Sequence, residues 1–121
     1  MTTVHDPLPF ICGDTWKIAG PLTDEVTGLP LSLTGARLQW LLDGVDVYGN
    51  PVRLIELDNG TNGGVVITDM PSASILVTVP KAQTLALSPG GLLTDYLRVT
   101  LLDGSLLTCW TGVIRAAPAP V

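Results

Sequence analysis

Charge, histidine and aromatic side chains are all scarce in this 121-residue chain: 14% of residues are charged, 5% are aromatic, and His5 is the one imidazole. A single His beside Asp6, in a leader without periodic pattern, leaves a Ser-His-Asp set dependent on a chance tertiary meeting, so His5 reads as an exposed side chain in an arm. Six Lys and Arg stand against eleven Asp and Glu, for a formal charge of −5. Arg37, Arg53, Arg98 and Arg115 are scattered singly, whereas phosphate binding needs clustered cations, so no nucleic-acid partner is expected. The two cysteines, Cys12 and Cys109, form no CxxC and lie far from His5 in sequence, which gives a metal site no support. They lie near opposite ends of the chain and could bridge its first and last strands; two buried thiols is the simpler reading. No apolar run approaches the roughly 18 to 20 residues of a membrane-spanning helix, so no membrane insertion is expected. Met1 to Asp6 lack a basic region followed by an apolar one, and synthesis and assembly in the cytoplasm is the expectation.

What the chain has instead is apolar content, 46% of residues, with a mean hydropathy of +0.45, punctuated by thirteen Gly and ten Pro. This length suits one domain with one core. Asp14–Ala19 reads as a strand with Trp16 and Ile18 on one face, continuing the parity of Phe10 and Cys12. A polar turn over Thr23–Gly28 follows. Ala36–Leu42 alternates, with Ala36, Leu38, Trp40 and Leu42 on one face and Arg37 and Gln39 on the other. Val52–Leu57, Val65–Thr68 and Ser74–Val79 read as further strands. Asp58–Gly64 carries the residues that tolerate positive φ and reads as a mobile loop. Pro80 opens a helical turn or two over Lys81–Leu87, which Ser88–Gly91 stops.

Thr94–Leu102 and Ser105–Arg115 are joined by Asp103-Gly104, the pair favoured by a two-residue type I′ hairpin. That turn sets Leu102 opposite Ser105 and puts Leu97, Val99 and Leu101 on one face with Trp110, Thr108 and Leu106. Seven or so short strands with regular turn signals predict an all-β fold, an antiparallel immunoglobulin-like sandwich with one short helical turn; a small barrel is second. The domain spans residues 10–115, between an N-terminal arm, residues 1–9, and a Pro/Ala-rich C-terminal arm, residues 116–121.

Trp16, Trp40 and Trp110 read as core anchors; a carbohydrate platform would need at least one of them exposed. Asp14 is the oddest charge, set in an apolar strand, and is expected to be buried and bonded to backbone amides or an arginine. The other carboxylates mostly occupy turn positions; Asp43, Asp46, Asp58 and Asn59 offer oxygens for calcium but lack EF-hand spacing. No cofactor is expected. Leu41, Ile55, Leu57, Leu76, Leu102 and Leu107 fall on the parity opposite the core and are the candidate subunit contacts.

Several segments are distinctive as an ordered set: Gly13-Asp14-Thr15-Trp16, Leu22-Thr23-Asp24, Gly28-Leu29-Pro30-Leu31-Ser32-Leu33-Thr34-Gly35-Ala36, Val79-Pro80, Pro89-Gly90, and Leu97-Arg98-Val99-Thr100 before Asp103-Gly104. This set resembles small tailed-bacteriophage structural proteins, in particular the immunoglobulin-like N-terminal domain of upper baseplate proteins. The resemblance implies a non-enzymatic virion protein, an adaptor or connector in a tail, baseplate or neck. Its implied partners are further copies of itself, arranged in a symmetric ring, and other virion proteins of the tail, baseplate or fibre. A carbohydrate or host-surface binding module, with Tyr48 and the 59–64 loop as its contact region, and a capsid decoration protein are the alternatives.

Overall fold

The computed structural model describes residues 10–24, 26–46, 48–87 and 92–115; both arms, His5 and the Ser88–Gly91 helix stop lie outside them. The elements are β1 (Trp16–Pro21), β2 (Arg37–Val45), β3 (Pro51–Asp58), β4 (Val65–Asp69), β5 (Ser74–Val79), α1 (Lys81–Leu85), β6 (Leu92–Thr100) and β7 (Leu106–Arg115). Every strand read from alternation is present. The first starts at Trp16 because Ile11–Asp14 closes a turn, with the Asp14 N–H donating to the Ile11 carbonyl at 3.1 Å and Gly13 at φ +90°.

Two antiparallel sheets form, ordered β1-β5-β4 and β3-β2-β6-β7. This is the B-E-D and C′-C-F-G arrangement of an immunoglobulin-like sandwich. Period-two alternation drives it: Ile75, Val77 and Val79 of β5 face Leu38, Trp40 and Leu42 of β2 across one core, with Trp16, Ile18, Leu97, Val99 and Ile114 completing it. The N-terminal segment folds around Trp16, which packs edge-on to Phe10 with ring centres 5.1 Å apart and donates its indole N–H to the Ile11 carbonyl at 2.9 Å. Buried Thr84 of α1 locks that segment in place: its hydroxyl accepts from the Gly13 N–H at 3.0 Å and donates to the Asp14 carbonyl at 2.6 Å.

Several expectations are corrected. The Asp14 side chain is exposed, and its backbone rather than its carboxylate ties it to the fold, because the turn points the side chain outward. Ile55 and Leu57 belong to the core, since antiparallel partners share a face and these two sit opposite Leu42 and Trp40. Leu41 does lie on the outer face, opposite Glu56 and Tyr96, but it is buried in a cleft with Asp43, Arg53, Tyr96 and Arg98. Cys12 and Cys109 are not joined in a disulfide, as the simpler reading has it; the first is buried and the second half-buried.

The last hairpin departs from type I′. That turn needs positive φ at both central residues, and only Gly104, at +91°, has it. Leu101 and Ser105 instead close a three-residue loop, the Leu101 N–H donating to the Ser105 carbonyl at 2.8 Å and the Gly104 N–H to the Leu101 carbonyl at 2.9 Å. The register slips by one, so Val99 meets Leu107 rather than Thr108. A bulge then takes up Cys109 and restores Leu97 opposite Trp110.

Candidate interaction surface

Among the described residues the buried carboxylates are Asp95, with no exposed surface, and Asp58, not Asp14. Asp95 lies on the core face of β6, opposite Leu42 on one side and Gly112 on the other. Trp40 and Trp110 flank Leu97 one pleat away and lean onto it, each donating its indole N–H to Asp95 Oδ2, at 3.0 and 3.2 Å. One acceptor thus satisfies the donors of the two largest side chains between β2 and β7, which makes the cluster a structural pin. All three tryptophans are buried, at 3%, 0% and 5% exposure for Trp16, Trp40 and Trp110, so none offers a stacking platform.

The turn carboxylates organise loops. Asp58 Oδ1 accepts from the N–H groups of Gly60, Asn62 and Gly63, at 2.8, 3.0 and 3.3 Å. Asn59 accepts from the Leu38 N–H at 3.0 Å and donates to the Ala36 carbonyl at 3.1 Å. The segment expected to be mobile is therefore bonded along its length. These backbone donors, the Gly60 N–H foremost, hold the Asp58 carboxyl below its ordinary pKa. The oxygens considered for calcium are engaged too: Asp46 accepts from Tyr48 and Asn50, and Asp43 from Arg53. Among the described residues no group of three or more His, Cys, Asp or Glu is placed to hold a metal ion.

Three connections gather at one end of the sandwich. Leu22–Leu31 forms a small hairpin, closed by Leu31 N–H to the Leu22 carbonyl at 3.0 Å and Asp24 N–H to the Leu29 carbonyl at 2.8 Å. Its tip is fixed by Asp24, whose Oδ1 accepts from the Val26 and Thr27 N–H groups at 2.8 and 3.0 Å. The 70–73 turn joins it through the Leu22 N–H, bonded to the Ala73 carbonyl at 3.0 Å. The β6–β7 turn completes the group, held by the Ser105 N–H donating to Asp103 Oδ1 at 2.8 Å. Backbone donation keeps both rim carboxyls below the ordinary range, chiefly from Thr27 and then Val26 at Asp24, and from Ser105 at Asp103.

Between the first hairpin and the β6–β7 turn run two adjoining cavities. One, of about 480 Å³, is lined by Asp24, Leu29, Leu31, Leu101, Leu102 and Asp103 among others. The other, of about 240 Å³, is lined by Asp24, Val26, Leu31, Leu107 and Cys109 among others. Large apolar side chains stand bare around them: Val26 is 93% exposed and Leu102 77%, with Leu29, Leu106 and Leu107 also open to solvent. Leu102 lies over Gly35, where an added Cβ would meet its Cδ1 at 2.8 Å. The result is an apolar groove with a carboxylate on each wall, built on turns with fixed hydrogen bonds.

Of the expected contact residues, Leu102 and Leu107 lie on this groove, beside Asp103 and Gly104. Leu76 lies elsewhere, on the outer face of the three-stranded sheet between Ala19 and Val66. Val26, Leu29 and Leu106 are not among the expected contacts: Val26 sits within, and Leu29 just after, the Thr23–Gly28 segment that reads as a plain polar turn. No protein-family model matches the sequence, and no curated protein is similar to it.

Proposed function

We propose that this protein is a non-enzymatic structural subunit of a tailed-phage virion, an adaptor or connector in a tail, baseplate or neck, assembled with copies of itself and with other virion proteins. The observation that carries the reading is the bare apolar end of the sandwich. Fully burying a Val or Leu side chain is worth about 1.5–3 kcal/mol, so Val26, Leu29 and Leu102 left in water forgo on the order of 5 kcal/mol. That is comparable to the whole stability of a small domain, ~5–15 kcal/mol. Loops that hold such side chains outward by dedicated hydrogen bonds are suited to contact another protein surface. The ordered set from Gly13-Asp14-Thr15-Trp16 to Asp103-Gly104 supplies the class of assembly, and the immunoglobulin-like sandwich agrees with it; fold alone would not specify function.

The carbohydrate-binding alternative is less well supported because the three tryptophans are buried and Tyr48 stands alone as an exposed ring. Protein composition and cryo-electron microscopy of purified particles test the proposal. The chain is expected in stoichiometric amounts at a symmetric position in the tail, baseplate or neck. Its absence from particles overturns the reading, and a position spread over the capsid lattice replaces it with the decoration role.

A further inference from the structure

We infer that the groove between the 22–31 hairpin and the β6–β7 turn receives residues 116–121 of a second copy of this chain, with Arg115 of that copy set against Asp24 and Asp103. This contact deepens the assembly reading above and rests on it. The argument begins with chemistry. The groove has an apolar floor of Leu29, Leu31, Leu101 and Leu102 and a carboxylate on each wall. A fitting occupant is an apolar, extended segment with one cation at its entrance, and Arg115 followed by Ala116-Ala117-Pro118-Ala119-Pro120-Val121 has that composition. Arg115 is exposed at the end of β7. A guanidinium can bond two carboxylates at once through its fork of donors. The two prolines lack N–H groups that would go unsatisfied over the leucine floor, and a fixed proline φ reduces the entropy a segment loses on docking.

Reach decides between copies. Leu107 lies eight residues before Arg115 on β7, or about 26 Å at ~3.3 Å per strand residue. Arg115 is itself held in β7, paired with Leu92, and one arginine side chain cannot span that distance back to Asp24 and Asp103 of its own copy. A second copy has no such limit. Because the groove and Arg115 lie at opposite ends of β7, the contact is head-to-tail, the geometry that closes into a ring or continues as a filament.

The test measures self-association of the full chain by sedimentation equilibrium and compares three variants: one lacking residues 116–121, Arg115→Glu and Leu102→Glu. Leu102 and Arg115 are exposed, so circular dichroism should report an unchanged fold. Each variant is expected to weaken association roughly tenfold or more. A synthetic peptide covering residues 113–121, added to the shortened chain, is expected to shift the amide resonances of Val26, Leu29 and Leu102, and the same peptide with Arg115→Glu is not. The inference is overturned by a full chain that stays monomeric at millimolar concentration, which would assign the groove to a different protein. Association indifferent to all three variants overturns it, as does a peptide that shifts Ala19, Val66 and Leu76 on the outer sheet face instead. Particle composition keeps the two readings apart: a chain present in particles but without this contact loses only the contact, and one that associates this way but is absent from particles loses only the virion assignment.

Discussion

Replacing Asp95 by Ala removes the one oxygen that accepts from both Trp40 and Trp110, in a part of the core where Asp95 and Trp40 have no exposed surface at all. Each buried donor left without an acceptor costs about 1–3 kcal/mol. Two indoles lose their partner together, and the lost carboxyl leaves a small void. Against this stands the relief of no longer burying a carboxylate, whose own desolvation is unfavourable. The net expectation is a loss of about 2–4 kcal/mol, a large fraction of the ~5–15 kcal/mol that holds a small domain folded. Asp95→Asn keeps an oxygen in place while adding an amide that needs its own acceptor, so it should lose about half as much.

Urea unfolding followed by far-ultraviolet circular dichroism reads this without interference from altered tryptophan emission. The midpoint should fall while the slope stays constant, since the surface exposed on unfolding is unchanged. A double-mutant cycle of Asp95→Asn with Trp110→Phe should show a coupling of about 0.5–3 kcal/mol, because the two side chains share one bond. An Asp95→Ala midpoint equivalent to a loss under about 0.5 kcal/mol would refute the claim that this carboxylate pins the sheet.

Gly64 and Gly104 test strain against space. Both have positive φ, +94° and +91°, but an added Cβ at Gly64 meets three atoms of Leu57 at 3.0–3.2 Å while at Gly104 nothing lies within 4 Å. Gly104→Ala should cost about 1–2 kcal/mol from backbone strain alone, and Gly64→Ala should lower the thermal midpoint clearly further. Thr84→Val keeps the shape of its side chain but removes the hydroxyl that holds Gly13 and Asp14, for a loss of about 1–3 kcal/mol. The neighbouring Asp14→Ala, on an exposed side chain, should stay within about 0.5 kcal/mol in the same denaturation assay. Acid unfolding tests Asp58: its folded pKa lies below its unfolded one, so its contribution is complete above the unfolded value and disappears as pH falls through the folded one. Stability measured from about pH 5 down to pH 2 should therefore decline less steeply in Asp58→Asn than in the parent.

The strands were legible because alternation is a local signal: Leu38, Trp40 and Leu42 of β2, or Ile75, Val77 and Val79 of β5, announce one face without help from the rest of the chain. Register was not, because it depends on bulges that add a residue silently. The β6–β7 turn displaced the pairing by one and the bulge at Cys109 moved it back, so Leu97 and Trp110 meet as alternation predicts although the residues between them do not. Asp95 was open to the same parity reading. It falls in step with Leu97 and Val99, and two tryptophans with indole donors lie on the flanking strands, a signal masked by the general preference of short carboxylates for turns. Asp14 misled in the opposite sense, since a charge among apolar residues suggests burial only where the segment is a strand, and Ile11–Asp14 is a turn.

The same distinction explains why only part of the groove could be read from the sequence. Parity separates an inner from an outer face only while a strand lies on the sandwich. At a strand end both parities reach solvent, which is why adjacent Leu106 and Leu107 at the start of β7 are both exposed although Leu107 is paired with the core residue Val99. Ile55 and Leu57, by contrast, sit well inside the β2–β3 pairing, where the partner strand and not the residue count decides which way they face. Apolar residues at strand ends and turns therefore point to contact surfaces whatever their parity, as Leu102 and Leu107 do, whereas in mid-strand the pairing decides, sending Ile55 and Leu57 to the core and Leu41 and Leu76 to outer faces. Val26 and Leu29 carry no periodicity at all. Their exposure follows from Asp24, whose carboxylate closes the hairpin tip with the apolar side chains outside it, so the feature to seek in such a chain is a turn-forming Asp beside an unprotected Val or Leu.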